Sequence, residues 1–183
     1  MSAFCRVPAP VLDQYSLSHS QGHAVLASAN FPTKLGVDLE AVRLRDYRRM
    51  LPFFVSPDED EWWQQQPDPG LAFYRLWTIK EALLKAQGLS FPADLPKVGL
   101  RRDDDCASGL RLEAPGSCRW QGTSAVLDGR WLLSCVWAVE AELPDPLIEC
   151  RFVGLPLWHV TDECCFGVRH PMISASAGTP GTC

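Results

Sequence analysis

Several features that would place a chain in a specialised class are missing from this sequence. No apolar run approaches the about 18 residues that a transmembrane helix needs, and Met1–Pro10 lacks the basic start and apolar centre of a secretory signal. Basic residues are not in excess, since the formal net charge is −5, whereas nucleic-acid binding usually needs a basic surface. We therefore expect a cytoplasmic protein that binds neither membranes nor nucleic acids.

Two kinds of site motif are also missing. None of the eight cysteines forms a C-x-x-C pair, and in the cytoplasm we expect reduced thiols rather than disulfides. Four residues could be weighed as zinc ligands, but they lack the close pairing of structural zinc sites: His159, Cys164, Cys165 and His170. The Gly-x-Ser-x-Gly elbow is absent too, which disfavours a serine hydrolase.

What is present fits a folded protein: 183 residues, of which 46% are apolar and 21% charged. Alternation predicts two strands in Tyr15–Ala29, with a turn at Gln21-Gly22, and a third in Lys34–Val42. Four later segments are strand-like, at residues 98–101, 109–113, 116–121 and 130–139. We expect residues 1–14 to be an irregular lead-in, 15–142 the folded domain, and 143–183 an irregular, partly disordered tail.

Three helices are predicted. The first covers Arg43–Leu51 and ends at a proline. The second begins at Ser56, with Ser-Pro-Asp-Glu as its capping sequence, and reaches about Gln66. The third covers Leu71–Gln87, carries a broad apolar stripe and precedes Gly88, a residue suited to a C-terminal cap.

Candidate site residues lie on the third strand and the third helix. Asp38 and Glu40 are two apart on a strand, so both carboxylates leave the same face, where a hard cation such as Mg²⁺ would offset their repulsion. Taken alone, such a pair is more often a solvated strand edge than a metal site. Trp77, Glu81 and Lys85 form one row on the helix. One interpretation is an ion pair between Glu81 and Lys85 on an exposed face. The other is a partly covered site for a metal ion and phosphates, which the large aromatic side chain in the same row favours.

Four sequence elements occur in a telling order: Ser-Leu-Ser-His-Ser (16–20), Gly-Val-Asp-Leu-Glu (36–40), Ser-Pro-Asp-Glu (56–59) and Trp-Thr-Ile-Lys-Glu-Ala-Leu-Leu-Lys (77–85). Together they resemble the signature of the phosphopantetheinyl transferase superfamily, in its larger, surfactin-synthetase-activating branch. The smaller, acyl-carrier-protein-synthase branch lacks the Ser-His-Ser element and the tryptophan. The resemblance covers roughly Tyr15 to Val139 and implies an α+β fold, with an antiparallel sheet packed against a long helix.

The resemblance also implies roles for individual residues. Asp38, Glu40 and Glu81 would hold Mg²⁺. Ser18 and His19 would contact the 3′-phosphate region of coenzyme A. Lys85 would hold the pyrophosphate, Lys80 would add positive potential, and Glu59 would have a supporting role.

The implied reaction is that of a holo-[acyl-carrier-protein] synthase, which moves 4′-phosphopantetheine from coenzyme A to a serine of an acyl or peptidyl carrier protein. Adenosine 3′,5′-bisphosphate leaves. Glu81 and Lys85 would be catalytic: Lys85 stabilises charge, and the serine proton goes either to a carboxylate such as Glu81 or to water on the cation. Fatty-acid, polyketide and nonribosomal-peptide systems all remain open as the source of the carrier.

The chain also departs from the family pattern. The surfactin-type enzymes have two similar lobes, and here only about 15 residues precede the Ser-His-Ser element. We therefore expect residues 1–14 to be a remnant of a first lobe, or a linker, and most of that lobe to be missing. We therefore expect self-association through the face that this lobe would cover. The alternatives are an impaired family member that binds coenzyme A or carrier protein without transfer, and a Mg²⁺-dependent phosphohydrolase.

Overall fold

The structure, a computed structural model, describes residues 14–105, 109–140, 146–153 and 159–166. Nine strands are present in these residues: β1 Tyr15–Ser20, β2 His23–Ala29, β3 Leu35–Ala41, β4 Gly99–Arg102, β5 Leu110–Glu113, β6 Arg119–Leu127, β7 Trp131–Val139, β8 Ile148–Val153 and β9 Val160–Phe166. The α-helices there are α1 Tyr47–Met50, α2 Pro57–Gln64 and α3 Pro69–Gln87, and short 3-10 turns cover Leu51–Phe53 and Leu95–Lys97.

The strands form three antiparallel sheets. The first has the order β1-β2-β8, the second β3-β7-β6-β9, and β4 pairs with β5 as a hairpin. Strand β3 is therefore an edge strand of the four-stranded sheet. Strand β1 lies beside this edge and places its own side chains against it.

Two apolar cores make the fold a stack of three layers. One core lies between the two larger sheets and is built from residues such as Val25, Val37 and Trp137. The other joins α3 to the opposite face of the four-stranded sheet, with residues such as Leu76 and Val136. Burial of these faces is the main contribution to stability. The predicted α+β class, with an antiparallel sheet against a long helix, is confirmed.

Helix α3 begins and ends where local chemistry requires. Asp68 accepts the Leu71 N–H through its side chain and Pro69 occupies the first turn, which satisfies a free amide at the N-terminus. Gly88 ends the helix with φ of 65°, a left-handed conformation that favours glycine. The capping box predicted for α2 is also formed, between Ser56 and Glu59.

Gly36 allows α3 to lie directly on β3. A Cβ at this position would be 1.9 Å from the carbonyl oxygen of Ala82. Because that atom belongs to the backbone, the helix could not give way cheaply. The glycine of the Gly-Val-Asp-Leu-Glu element therefore determines how closely the helix approaches the strand that carries the acidic pair.

Some predicted boundaries were wrong. The helix expected over Arg43–Leu51 begins only at Tyr47, because the backbone N–H and C=O of Arg43 are bound by the hydroxyl of Tyr74 instead of by a helical turn. The strand expected at 116–121 is Arg119–Leu127, a stretch in which Gly122 and polar neighbours obscure the apolar pattern.

The prediction of irregular structure was also wrong for two segments near the C-terminus. Irregular structure was expected after residue 142, yet Ile148–Val153 pairs with β2 and Val160–Phe166 pairs with β6. The domain limits 1–14, 15–142 and 143–183 stay predictions, and residues 1–13 and 167–183 lie outside the described residues. No helix in the described part of the chain is both long and apolar enough to cross a membrane.

Candidate active site

The candidate site lies where the edge strand β3 meets α3. The Lys85 ammonium group is 2.8 Å from Oδ1 of Asp38 and also donates to the carbonyl oxygen of Val37, at 3.0 Å. The side chain of Lys85 is one third exposed, whereas that of Asp38 is buried. The structure therefore brings Lys85 of the predicted helix row into contact with Asp38 of the predicted strand pair.

The two oxygens of Asp38 have different surroundings. Oδ1 accepts hydrogen bonds from the Ser18 hydroxyl, at 2.9 Å, and from Lys85. Oδ2 is buried and has no hydrogen-bond partner among the described residues. A buried carboxylate oxygen without a partner is costly, so Oδ2 is available to accept a further ligand.

Glu40 lies two residues after Asp38 on β3. Its Oε2 accepts a hydrogen bond from the hydroxyl of Ser20 at 3.3 Å. Burial raises the pKa of the Glu40 carboxyl above its usual range, and the negative charge of Asp38 raises it further. Asp38 is therefore close enough to Glu40 to disfavour the charged form of the Glu40 carboxyl.

Glu81 completes a group of three acids. Burial, followed by repulsion from Asp38, raises the pKa of Glu81 to about 7, against a partial opposing effect of Lys85 and a further upward contribution from Glu40. Because the charges of Asp38 and Glu40 both raise this pKa, Glu81 is close enough to the two strand carboxylates for their charges to interact.

The chemistry of this group fits a divalent cation. Mg²⁺ prefers hard oxygen ligands such as carboxylates, and here it would offset the repulsion that Asp38 exerts on Glu40 and Glu81. Within the described ranges, no three His, Cys, Asp or Glu side chains lie close enough together to hold a metal ion as they stand. Binding would therefore require side-chain adjustment. His170, weighed above as a zinc ligand, lies outside the described residues.

Lys80 and Glu59 are placed apart from these three acids, in a buried ion pair. The Lys80 ammonium group is 3.0 Å from Oε2 and 3.1 Å from Oε1 of Glu59, and 2.6 Å from the carbonyl oxygen of Val98. Both side chains are almost completely buried. Gly99 leaves room for the pair, since a Cβ there would be 1.9 Å from Glu59 Oε1. The charge of Lys80 is thus already matched within the protein.

His19 and Trp77 flank the site differently. His19 is exposed on β1, between the inward-facing Ser18 and Ser20. Trp77 is half-buried and contacts the rings of Phe54 and Phe91, at centroid distances of 5.6 and 5.5 Å. The expectation that the Trp77 row is partly covered is therefore correct.

Ser20 is the site residue whose role the sequence did not reveal. Its hydroxyl donates a hydrogen bond to Glu40, yet within the Ser-Leu-Ser-His-Ser element the resemblance implied roles only for Ser18 and His19. The available signal was the period of two: Ser16, Ser18 and Ser20 share one face of a predicted strand.

Residues 34–136 match the family model of the 4′-phosphopantetheinyl transferase superfamily. The chain belongs to this superfamily. The matched range runs from just before β3 into β7 and contains Asp38, Glu40, Glu81 and Lys85. The Ser-His-Ser element of this chain, at residues 18–20, lies before the matched range.

Individual relatives of this superfamily member agree with the assignment. A Haemophilus influenzae protein assigned by name to the 4′-phosphopantetheinyl transferases is 35% identical over 54 residues, which cover 30% of this chain and 23% of the relative. The 4′-phosphopantetheinyl transferase HetI of Nostoc is 40% identical over 77 residues, covering 40% of this chain and 32% of HetI. The chain thus spans about a quarter to a third of the length of these curated relatives.

Among solved structures, the holo-[acyl-carrier-protein] synthase of Neisseria meningitidis is similar, with a TM-score of 0.48 and 18% identity. The similarity covers 58% of this superfamily member and 98% of the Neisseria chain.

Proposed function

We propose that this protein transfers the 4′-phosphopantetheine group from coenzyme A to a serine of an acyl or peptidyl carrier protein, with Mg²⁺, as an enzyme of the surfactin-type branch. One observation carries the proposal. Asp38 is buried and held at Oδ1 by Ser18 and Lys85, while Oδ2 lacks a partner in the described chain and shares its surroundings with Glu40 and Glu81.

Asp38, Glu40 and Glu81 would hold the cation, with Oδ2 of Asp38 as the best-prepared ligand. When bound, Mg²⁺ would neutralise charge on the diphosphate of coenzyme A. The protein supplies the orientation: Ser18 and Lys85 fix one carboxylate, and the close packing at Gly36 brings the helix acid toward the strand acids.

Lys85 would bind the diphosphate. Its ammonium group has three hydrogens, of which Asp38 and Val37 take two, so one remains for a phosphate oxygen. Its partial exposure allows a ligand to reach it. His19, exposed on β1, would contact the 3′-phosphate of the coenzyme. Lys80, fully paired with Glu59, would support α3 instead of touching the coenzyme.

The proposed step is a substitution at phosphorus. The carrier serine oxygen forms a bond to the β-phosphorus of coenzyme A while the bond from that phosphorus to the leaving oxygen breaks, releasing adenosine 3′,5′-bisphosphate. The serine proton must be accepted, by Glu81 or by water. Lys85 would stabilise the negative charge that develops on the phosphoryl oxygens.

The test is a mass measurement on an apo carrier protein incubated with the full chain, coenzyme A and Mg²⁺. The expected result is a gain of one phosphopantetheine on the carrier, which is lost with EDTA and with the Glu81→Gln variant. Coenzyme binding without any gain would instead identify the impaired family member. Release of inorganic phosphate without a carrier would identify the phosphohydrolase.

Self-association stays a prediction. The outer face of the β1-β2-β8 sheet exposes large apolar side chains, namely Tyr15, Leu17, Leu26 and Val153. This is the surface through which association would occur, and light scattering of the purified chain over a range of concentrations measures it directly.

A further inference from the structure

Strand β1 presents a row of hydroxyl groups to the acidic strand. Every inward-facing residue after Tyr15 is a serine, namely Ser16, Ser18 and Ser20, and the alternate positions face outward. Ser16 and Ser18 are buried. A run of three serines on the inner side of a strand is unusual, because such positions normally carry apolar side chains.

The hydroxyls take the place of a neighbouring strand. The Val37 N–H donates to the Ser16 oxygen at 2.9 Å, and the Leu39 N–H donates to the Ser18 oxygen at 3.2 Å. Strand β3 is an edge strand, whose outward amides need acceptors once they are buried. Serine side chains provide them here.

This arrangement fixes the direction of the second Ser18 bond. Because the Leu39 amide can only donate, the Ser18 oxygen accepts, and its single hydroxyl proton is directed to Oδ1 of Asp38, 2.9 Å away. Lys85 donates to the same oxygen. Two donors on Oδ1 prevent rotation of the carboxylate and keep Oδ2 as the free oxygen.

We propose that Ser18 is a positioning residue that orients Asp38 toward the cation and does not bind the coenzyme's phosphate. The inference deepens the proposed function and rests on it. It also departs from the role that the family resemblance implies for Ser18. A phosphate oxygen needs a donor, and the only proton of the Ser18 hydroxyl is already committed to Asp38.

Ser16 offers a matched control. It caps a β3 amide in the same way as Ser18, yet no hydrogen bond from its hydroxyl to a carboxylate occurs among the described residues. Loss of either hydroxyl therefore weakens the strand edge, but only the loss of Ser18 should loosen Asp38. A purely structural role would give the two variants the same effect.

The first experiment measures Mn²⁺ binding to the full chain, without coenzyme, and uses electron paramagnetic resonance to detect the bound ion. Ser18→Ala should weaken Mn²⁺ binding about 10-fold to 100-fold, the range typical for the loss of a residue that orients a metal ligand. Ser16→Ala should leave it unchanged, and Ser18→Thr, which keeps the hydroxyl, should restore it. Equal affinities for wild type, Ser18→Ala and Ser16→Ala would overturn the proposal.

The second measurement compares the affinity for coenzyme A with that for 3′-dephospho-coenzyme A. In Ser18→Ala the ratio of the two affinities should equal the wild-type ratio. A ratio that falls toward one would assign Ser18 to the 3′-phosphate and overturn the proposal. If Ser18→Ala does not fold, Ser18→Cys, with a weaker donor, serves in both measurements.

Both measurements record binding, so they separate this inference from the reaction. If Mn²⁺ binding depends on Ser18 but the chain modifies no carrier protein, the proposed transfer is refuted and the proposed role of Ser18 is supported. A wild-type chain that binds no divalent cation would overturn both.

Discussion

The backbone carbonyl of Ala82 on α3 approaches Gly36 on β3 so closely that a Cβ on the glycine would lie 1.9 Å from the oxygen. This contact brings the helix that carries Glu81 and Lys85 onto the strand that carries Asp38. The spacing of the acidic group therefore depends on the absence of a single methyl group.

Gly36→Ala should consequently destabilise the protein and reduce metal binding together. Overpacking against a rigid backbone costs about 1–3 kcal/mol, and the displaced helix would carry Glu81 away from the strand. Urea unfolding and Mn²⁺ affinity measure the two effects. Gly70→Ala, in the first turn of the same helix, is the control, because its Cβ would make only ordinary contacts, at 3.4 Å or more. Unchanged metal affinity in Gly36→Ala would contradict the argument.

Removal of one acidic charge should abolish most of the transfer. Asp38→Asn and Glu81→Gln keep the shape of the side chains but remove a charge from the proposed cation site. We expect a loss in rate of at least about 100-fold for each, the scale seen when one electrostatic group is lost. Glu61→Gln, on the exposed surface of α2, is the matched control and should retain activity. Near-full activity of Asp38→Asn would show that the metal assignment is wrong.

The metal-free protein should lose stability as the pH rises. Burial and the charge of Asp38 raise the pKa of Glu81 to about 7 from 4.5, so the folded state holds its proton more tightly than the unfolded chain does. The resulting stabilisation is complete below about pH 4.5 and is lost as the pH passes 7. Urea unfolding in EDTA between pH 5 and 8 measures this effect. Glu81→Gln, which cannot ionise, should show a flatter profile, and an equal slope in both proteins would exclude Glu81 as the cause.

The buried pair of Lys80 and Glu59 should be structural. Lys80→Met leaves Glu59 buried without its counter-ion, which typically costs about 3–5 kcal/mol. The double variant with Glu59→Gln should be less destabilised than Lys80→Met alone, because no buried charge is left unpaired. The measurement is the free energy of unfolding of Lys80→Met, of Glu59→Gln and of the double variant, which together with the wild type form a double-mutant cycle. A folded Lys80→Met protein with weakened coenzyme affinity would instead restore the coenzyme role expected from the sequence.

Local signals explain why parts of the fold could be predicted. Asp68 and Gly88 define the ends of α3 through caps within a few residues of the helix, and the two-residue spacing of Asp38 and Glu40 fixes their common face. Strands β8 and β9 could not be found in this way. Their partners β2 and β6 are distant in sequence, and their burial depends on those partners.

The contacts within the candidate site could not be predicted in this way either. The spacing and the motif order led to the prediction that Asp38, Glu40 and Glu81 form a common site, but they did not predict which residues contact these acids. The Lys80 side chain is directed by Glu59 on another helix and by Val98, and Ser18 is directed by an edge amide of β3. Both contacts exist only after the elements pack, so no local pattern contains them.

His19 should carry the recognition of the 3′-phosphate that Ser18 does not provide. It is exposed on β1, next to the residue that holds Asp38, and its ring can donate a hydrogen bond to an anion. A hydrogen bond to a charged group contributes about 1.5–3 kcal/mol, so His19→Ala should weaken coenzyme A binding by roughly 10-fold to 100-fold. Affinity for 3′-dephospho-coenzyme A should not change, nor should Mn²⁺ affinity. Calorimetric titration with both coenzymes tests this, with His159→Ala, at a distant exposed histidine, as the control. An equal loss for both coenzymes would place the contact of His19 elsewhere on the ligand.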